Sequence, residues 1–136
     1  MAEMVRDYGP ADWDEEFRHS LVALAITGVA VGTLMLTVQR AYPPQPVCLT
    51  DGAETIATSF PSGHAAAVTV YAATARWSEQ LPFVAVPTLA TLLPVSRVYL
   101  GTHYLSDTVA GVCLGLLASL AAGRLLKRTD IAARFR

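Results

Sequence analysis

The chain has 136 residues, 53% hydrophobic and only 15% charged, with a net charge of −1; soluble domains carry about a quarter charged residues. The length suits one domain with one core, and a mean hydropathy of +0.41 points to a membrane. Bulk charge names no partner, and nucleic acid is excluded, because the basic C-terminal stretch (Arg124, Lys127, Arg128, Arg134, Arg136) is short and carries one aromatic, Phe135.

Residues 1–19 form a polar, acidic segment (Glu3, Asp7, Asp12, Asp14, Glu15, Glu16) with room for a surface helix near 11–19. That acidity argues against a signal peptide, which opens on a basic stretch. Residues 20–126 are expected to form the membrane domain, an all-α bundle of about four transmembrane helices. Residues 127–136 are a basic tail. Ser20 to Val38 holds no charge over 19 residues, enough to cross the ~30 Å hydrocarbon layer, and is the first predicted span.

Residues 39–62 read as a long loop broken by Pro43, Pro44, Pro46, Asp51-Gly52 and Pro61. Ser62 is an N-cap for a second helix over Gly63–Trp77, followed by a turn at Ser78-Glu79-Gln80. A third helix is expected over Leu81–Val95, with Pro87 and Pro94 kinking or ending it. Residues 96–102 form a second loop, and a fourth helix runs from His103 to Leu126. The second and third helices are short for spans. Either they extend, or the loops dip into a recess at the membrane surface, where irregular backbone needs shielding by protein.

The fourth helix carries a period-four stripe of His103, Asp107, Gly111, Gly115, Ser119 and Gly123, which places them on one face. Gly111 and Gly115, like Gly28 and Gly32 in the first helix, are GxxxG pairs that let membrane helices approach closely. Packing is their first reading, and the same faces offer a route to a homo-oligomer. The stripe turns His103 and Asp107 into the bundle. Cys48 and Cys113 fit neither a disulfide framework nor a metal-ligand spacing. Three histidines without a Cys/His cluster imply no metal site, and no cofactor is implied.

With four spans, both termini and the 2–3 turn share one side, which holds eight of the ten Lys/Arg residues; Arg40 and Arg97 lie on the other. The positive-inside rule then puts the termini in the cytoplasm and the two motif loops outside, in a multi-pass protein of the cell membrane.

The chemistry sits in two strings: Pro61-Ser62-Gly63-His64, and Ser96-Arg97 with His103 and Asp107 behind it. Charges in an apolar chain need a function. Asp107, four residues after His103, is placed to accept a hydrogen bond from one ring nitrogen and leave the other free as a base or nucleophile. Ser62-Gly63 opens a helix whose N–H groups suit an anion, and Arg97 presents a planar donor fork for phosphate-like oxygens. His64 is a second titratable group suited to general acid work. Singly, these are a helix cap, a surface bridge and an interfacial anchor. Together, on one side of the bundle, they complement one another.

Both strings resemble the second and third signature motifs of the type 2 phosphatidic acid phosphatase family, over roughly residues 20–126. That family includes lipid and isoprenyl diphosphate phosphatases and is related to vanadium haloperoxidases. The resemblance implies that His103 attacks phosphorus to form a phosphohistidine, that Asp107 orients it, and that His64 protonates the leaving oxygen and then activates water. It implies that Ser62, Gly63 and Arg97 hold the phosphoryl oxygens and that no metal is needed. The expected partners are a lipid or isoprenoid phosphate and membrane lipids.

The chain departs from the family in its first motif, a lysine, six residues, then Arg-Pro. By position Met35 stands for the lysine and Tyr42-Pro43 for Arg-Pro. Arg40 is the nearby cation that would compensate if it reached the site. Losing one charge-stabilising donor lowers rates by about 10²–10³. The alternatives are therefore a weak or inactive relative that binds lipid phosphate or serves as a partner subunit, or a truncated piece; a haloperoxidase fits this apolar chain poorly.

Overall fold

The computed structural model describes residues 10–44, 58–74 and 85–134. Four α-helices account for nearly all of them: α1 (Pro10–Val38), α2 (Gly63–Thr74), α3 (Ala85–Tyr99) and α4 (Leu105–Arg134). No strand occurs among the described residues. The expected turn at 78–80, the start assigned to the third helix, and Cys48 lie outside them.

The helix ends follow local chemistry and correct several expected boundaries. No Gly or Pro interrupts 11–27, so the polar 11–19 stretch and the apolar span form one continuous helix of 29 residues. Likewise nothing after Gly123 breaks α4, which runs on to Arg134 through good helix formers. Pro94 sits inside α3 without ending it. The helix forgoes one N–H bond there, and Ser96 Oγ donates to Leu93 C=O at 2.7 Å. Ser96 and Arg97 are thus in the last turn of α3, not in a loop.

Small residues make the core. α4 packs most extensively on α2 and then on α1, whereas α3 leans mainly on α2. Ala23, Ala65, Ala66, Val70, Ala118 and Ala122 are buried at these contacts. The buried hydroxyls of Thr27, Thr69, Thr74 and Ser119 each donate to the carbonyl four residues back, at 2.7–2.8 Å. Their burial therefore leaves no donor unpaired. At the end away from the motif loops, His19 Nε2 lies 2.9 Å from Ser119 C=O, and Ser20 Oγ 2.7 Å from Thr74 Oγ1. These bonds tie α1 to α4 and α2.

The two GxxxG pairs behave differently. A Cβ on Gly111 would fall 2.4 Å from Ser62 O, and one on Gly115 2.5 Å from Ala66 O. These glycines are where α4 touches the α2 backbone, as their packing reading expects. A Cβ on Gly28 or Gly32 would meet nothing within 4 Å. The α4 pair is engaged inside the chain, so only the α1 pair is left open to a second copy.

The outer surface is apolar. Leu21, Leu24, Val29 and Leu36 on α1, and Leu116, Leu117, Leu120 and Leu125 on α4, are exposed. A soluble monomer rarely shows contiguous patches of this kind. Glu15–Val38 (24 residues) and Leu105–Asp130 (26 residues) are long and apolar enough to cross a membrane. As described, α2 (12 residues) and α3 (15 residues) reach only about 18 and 22 Å. The chain has membrane character, with its two long helices as the candidate spans.

Candidate active site

The two motif strings meet at the end of the bundle where α1 stops and α2 and α4 begin. Gln39, at φ 46°, turns the chain out of α1. The two ends of the first connection are then clasped together. Arg40 N–H donates to Thr58 Oγ1 (3.1 Å), Ser59 N–H to Arg40 C=O (2.8 Å), and Ser59 Oγ to Ala41 C=O (3.1 Å).

The five-residue gap between Arg97 and His103 is explained by the way α3 ends. Leu100 N–H still donates to Ser96 C=O, and Gly101 then adopts φ 71°, the left-handed cap conformation that glycine accepts without strain. The reversed chain brings Thr102 and His103 back beneath Arg97, whose carbonyl accepts from both N–H groups at 3.1 and 3.3 Å. The backbone of His103 is thereby fixed to that of Arg97.

His103 precedes α4 instead of opening it, and its expected bond to Asp107 is replaced. Its Nδ1 lies 2.8 Å from Ser59 C=O and 4.0 Å from Asp107 Oδ2. A carbonyl only accepts, so Nδ1 carries the proton and Nε2 keeps the lone pair in the neutral ring. The function foreseen for the aspartate, fixing the tautomer, falls to a backbone carbonyl in the first connection. No side-chain pattern marks a carbonyl, so the sequence offered no signal for Ser59.

Asp107 is fully buried and holds the surrounding loop. Its Oδ2 accepts from Tyr104 N–H at 2.9 Å while its own N–H donates to Tyr104 C=O at 3.0 Å. The carboxylate reaching back to the N–H of Tyr104 is one half of a capping box at the start of α4, with the Tyr104 carbonyl standing where a capping side chain would accept. Oδ1 accepts from Arg40 Nη1 at 2.7 Å. The same nitrogen is 2.7 Å from Ser106 Oγ, and the guanidinium lies 4.1 Å from the centroid of the Tyr104 ring. Arg40, the cation that would compensate for the first motif, is the counter-ion of Asp107 and is not among the residues lining the pocket.

Removing one member of a buried ion pair costs about 3–5 kcal/mol when the other charge stays behind. With Arg40 partly exposed, we expect Arg40→Ala to lose about 2–3 kcal/mol and Asp107→Asn to recover part of that loss in the Arg40→Ala background. Chemical denaturation of the four proteins of this cycle measures it. Additive losses would mean that the pair is not coupled.

Met35, Tyr42, Gly63, His64, Ala67, Arg97, Thr102 and His103 line an open pocket of about 460 Å³, within the range of small-ligand sites. Gly63, His64, Arg97 and His103, predicted from three separated segments, therefore come together. Arg97 Nε is buried with no hydrogen-bond partner among the described residues. Such a donor in the wall of a pocket suits an anion. A Cβ on Gly63 would meet only Val31 Cγ1 at 3.7 Å, an ordinary contact, so packing does not demand glycine there.

Ser62 is not among the residues that line the pocket. It is fully buried beneath the pocket, with its N–H on Asp107 C=O at 3.0 Å and its Oγ 3.4 Å from Ala65 N–H. It caps α2 and supports the floor instead of lining the wall. Among the described residues no three His, Cys, Asp or Glu side chains are grouped to hold a metal ion.

Fold and pocket together define a class: a membrane helical bundle with a pocket of two imidazoles and one guanidinium at one end. The chain belongs to the PAP2 superfamily, whose sequence profile matches residues 17–129, as the two motif strings led us to expect. Phosphatidylglycerophosphatase B of Bacillus subtilis (strain 168) is 40% identical over 70 residues, covering 43% of this chain and 34% of that protein. The chain thus matches about a third of that relative's length. Its fold is similar to the crystal structure of Aquifex aeolicus LpxE, with a TM-score of 0.64, 20% identity, and coverage of 82% of this chain and 68% of that one.

Proposed function

We propose that this chain is an integral membrane phosphatase that hydrolyses phosphate or diphosphate monoesters of lipids or isoprenoids through a phosphohistidine. One observation carries the reading: His103 Nε2, its lone pair freed by the Nδ1–Ser59 bond, shares a pocket with His64 and with the unpartnered Nε of Arg97.

In the first step Nε2 of His103 attacks phosphorus. A P–N bond forms as the P–O bond to the leaving group breaks, and the His64 imidazolium gives its proton to the departing oxygen. In the second step water attacks the phosphorus. His64 takes a proton from that water, the P–N bond breaks, and phosphate leaves. Arg97 and the N–H groups at the start of α2, Gly63 among them, hold the phosphoryl oxygens as charge builds. Asp107 is a positioning residue here, acting through its bond to the Tyr104 N–H at the start of α4 and through Arg40.

The Lys/Arg distribution supports a pocket that faces away from the cytoplasm, reached from the outer headgroup layer. A second reading is favoured by one observation. Arg40 is engaged with Asp107, so the pocket lacks the two first-motif cations, and a weak or inactive lipid-phosphate binder becomes a real competitor. Phosphate release by the purified chain from lipid monophosphates and diphosphates decides between them. Turnover with a chelator present supports the enzyme; binding of the same lipids without any release supports the binder.

A further inference from the structure

Much of the pocket lining carries no charge. Met35 from the last turns of α1, Ala67 from α2 and the ring of Tyr42 face the same cavity as the two histidines. Arg40 is the nearest other cation, and it is paired with Asp107 at 2.7 Å. The remaining described Lys and Arg residues, Arg18, Arg124, Lys127, Arg128 and Arg134, lie toward the other ends of α1 and α4. The segment that joins α1 to α2, residues 45–57, contains no Lys or Arg, only the acids Asp51 and Glu54. Among the described residues Arg97 is therefore the one permanent cation lining the pocket.

A phosphate monoester carries at most two negative charges, whereas a diphosphate ester carries up to three over two phosphoryl groups. One guanidinium with the α2 N-terminus can match the first. The second places an additional anionic group against Met35, Ala67 and Tyr42, none of which carries a charge to match it. The same wall favours an apolar leaving group next to the phosphate. We infer that the pocket selects the monophosphate of an apolar alcohol and discriminates against diphosphates, with Met35 and Tyr42 as the specificity-determining residues. This rests on the phosphate reading above and narrows its substrate.

Titration calorimetry on the purified full chain, with inorganic phosphate, hexyl phosphate and pyrophosphate, tests it. Wild type should bind hexyl phosphate most tightly and pyrophosphate at least tenfold more weakly than phosphate. Met35→Lys should improve pyrophosphate relative to phosphate by tenfold or more and reduce the advantage of the hexyl chain. Tyr42→Arg is the second variant should the first fail to fold, with the same expected direction. Pyrophosphate binding to wild type as tightly as phosphate, or no change of ratio in either variant, overturns the selectivity while leaving the phosphate site standing. No binding of any of the three removes the phosphate site itself, and this inference with it.

Discussion

His103→Ala is expected to abolish turnover and leave a folded protein. The substitution removes the lone pair at Nε2 that forms the bond to phosphorus. Loss of a nucleophile lowers rates by on the order of 10³-fold or more. It also removes the Nδ1 hydrogen bond to Ser59 C=O, worth about 1 kcal/mol and somewhat more if the carbonyl stays unsatisfied. A modest drop in melting temperature should therefore accompany a complete loss of activity. His64→Ala should reduce turnover by about 10²–10⁴-fold for substrates with basic leaving oxygens and less for aryl phosphates, where no acid is needed. Asp107→Asn should act mainly on stability, through Arg40 and the α4 cap. Turnover per folded molecule, measured beside the melting temperature, separates chemistry from folding. Wild-type specific activity in His103→Ala would make the histidine a structural tie only.

Gly111→Ala carries the second large effect, on the fold. The added carbon would lie 2.4 Å from Ser62 O, 3.1 Å from Ala65 Cβ and 3.2 Å from Ala66 N. Two of these are backbone atoms, so α2 and α4 must separate. Overpacking of this kind costs about 1–3 kcal/mol or more. The better helix propensity of alanine returns at most about 1 kcal/mol. Because Ser62 and Gly63 open α2 beneath the pocket, the separation should weaken phosphate binding as well. Gly28→Ala is the matched control. Its Cβ meets nothing, so within a single chain the substitution should be neutral or stabilising by up to about 1 kcal/mol. Thermal unfolding of both variants in one detergent makes the comparison. Equal stability of Gly111→Ala and wild type would contradict the α2–α4 contact described above.

Hydrophobic runs reveal spans because lipid imposes one simple rule over many residues, so Ser20–Val38 and the apolar stretch of α4 were plain. The motif strings brought His64, Arg97 and His103 to one pocket because each has a side chain whose chemistry is legible by itself. Boundaries were harder. Pro94 is expected to kink or end the third helix, yet α3 runs past it to Tyr99 and carries Arg97 along. Partnerships were hardest. The i,i+4 spacing suggested an Asp107–His103 bond, but the chain reverses at Gly101 and leaves His103 outside the helix, so the spacing no longer describes one face. The carboxylate pairs with Arg40, 67 positions away, and a carbonyl takes its place at the imidazole. The family resemblance implies a phosphate ligand at Ser62; its burial under Gly111 is visible only once two helices are packed.

The most direct test of the phosphohistidine is to trap it. An aryl phosphate lets the first step proceed without an acid, while loss of His64 slows the attack of water. Radiolabelled aryl phosphate should therefore leave alkali-stable, acid-labile phosphate on the peptide that contains His103. More of it should accumulate in His64→Ala than in wild type, and none in His103→Ala. Steady phosphate release without any label on His103, in wild type and in His64→Ala alike, would contradict the account.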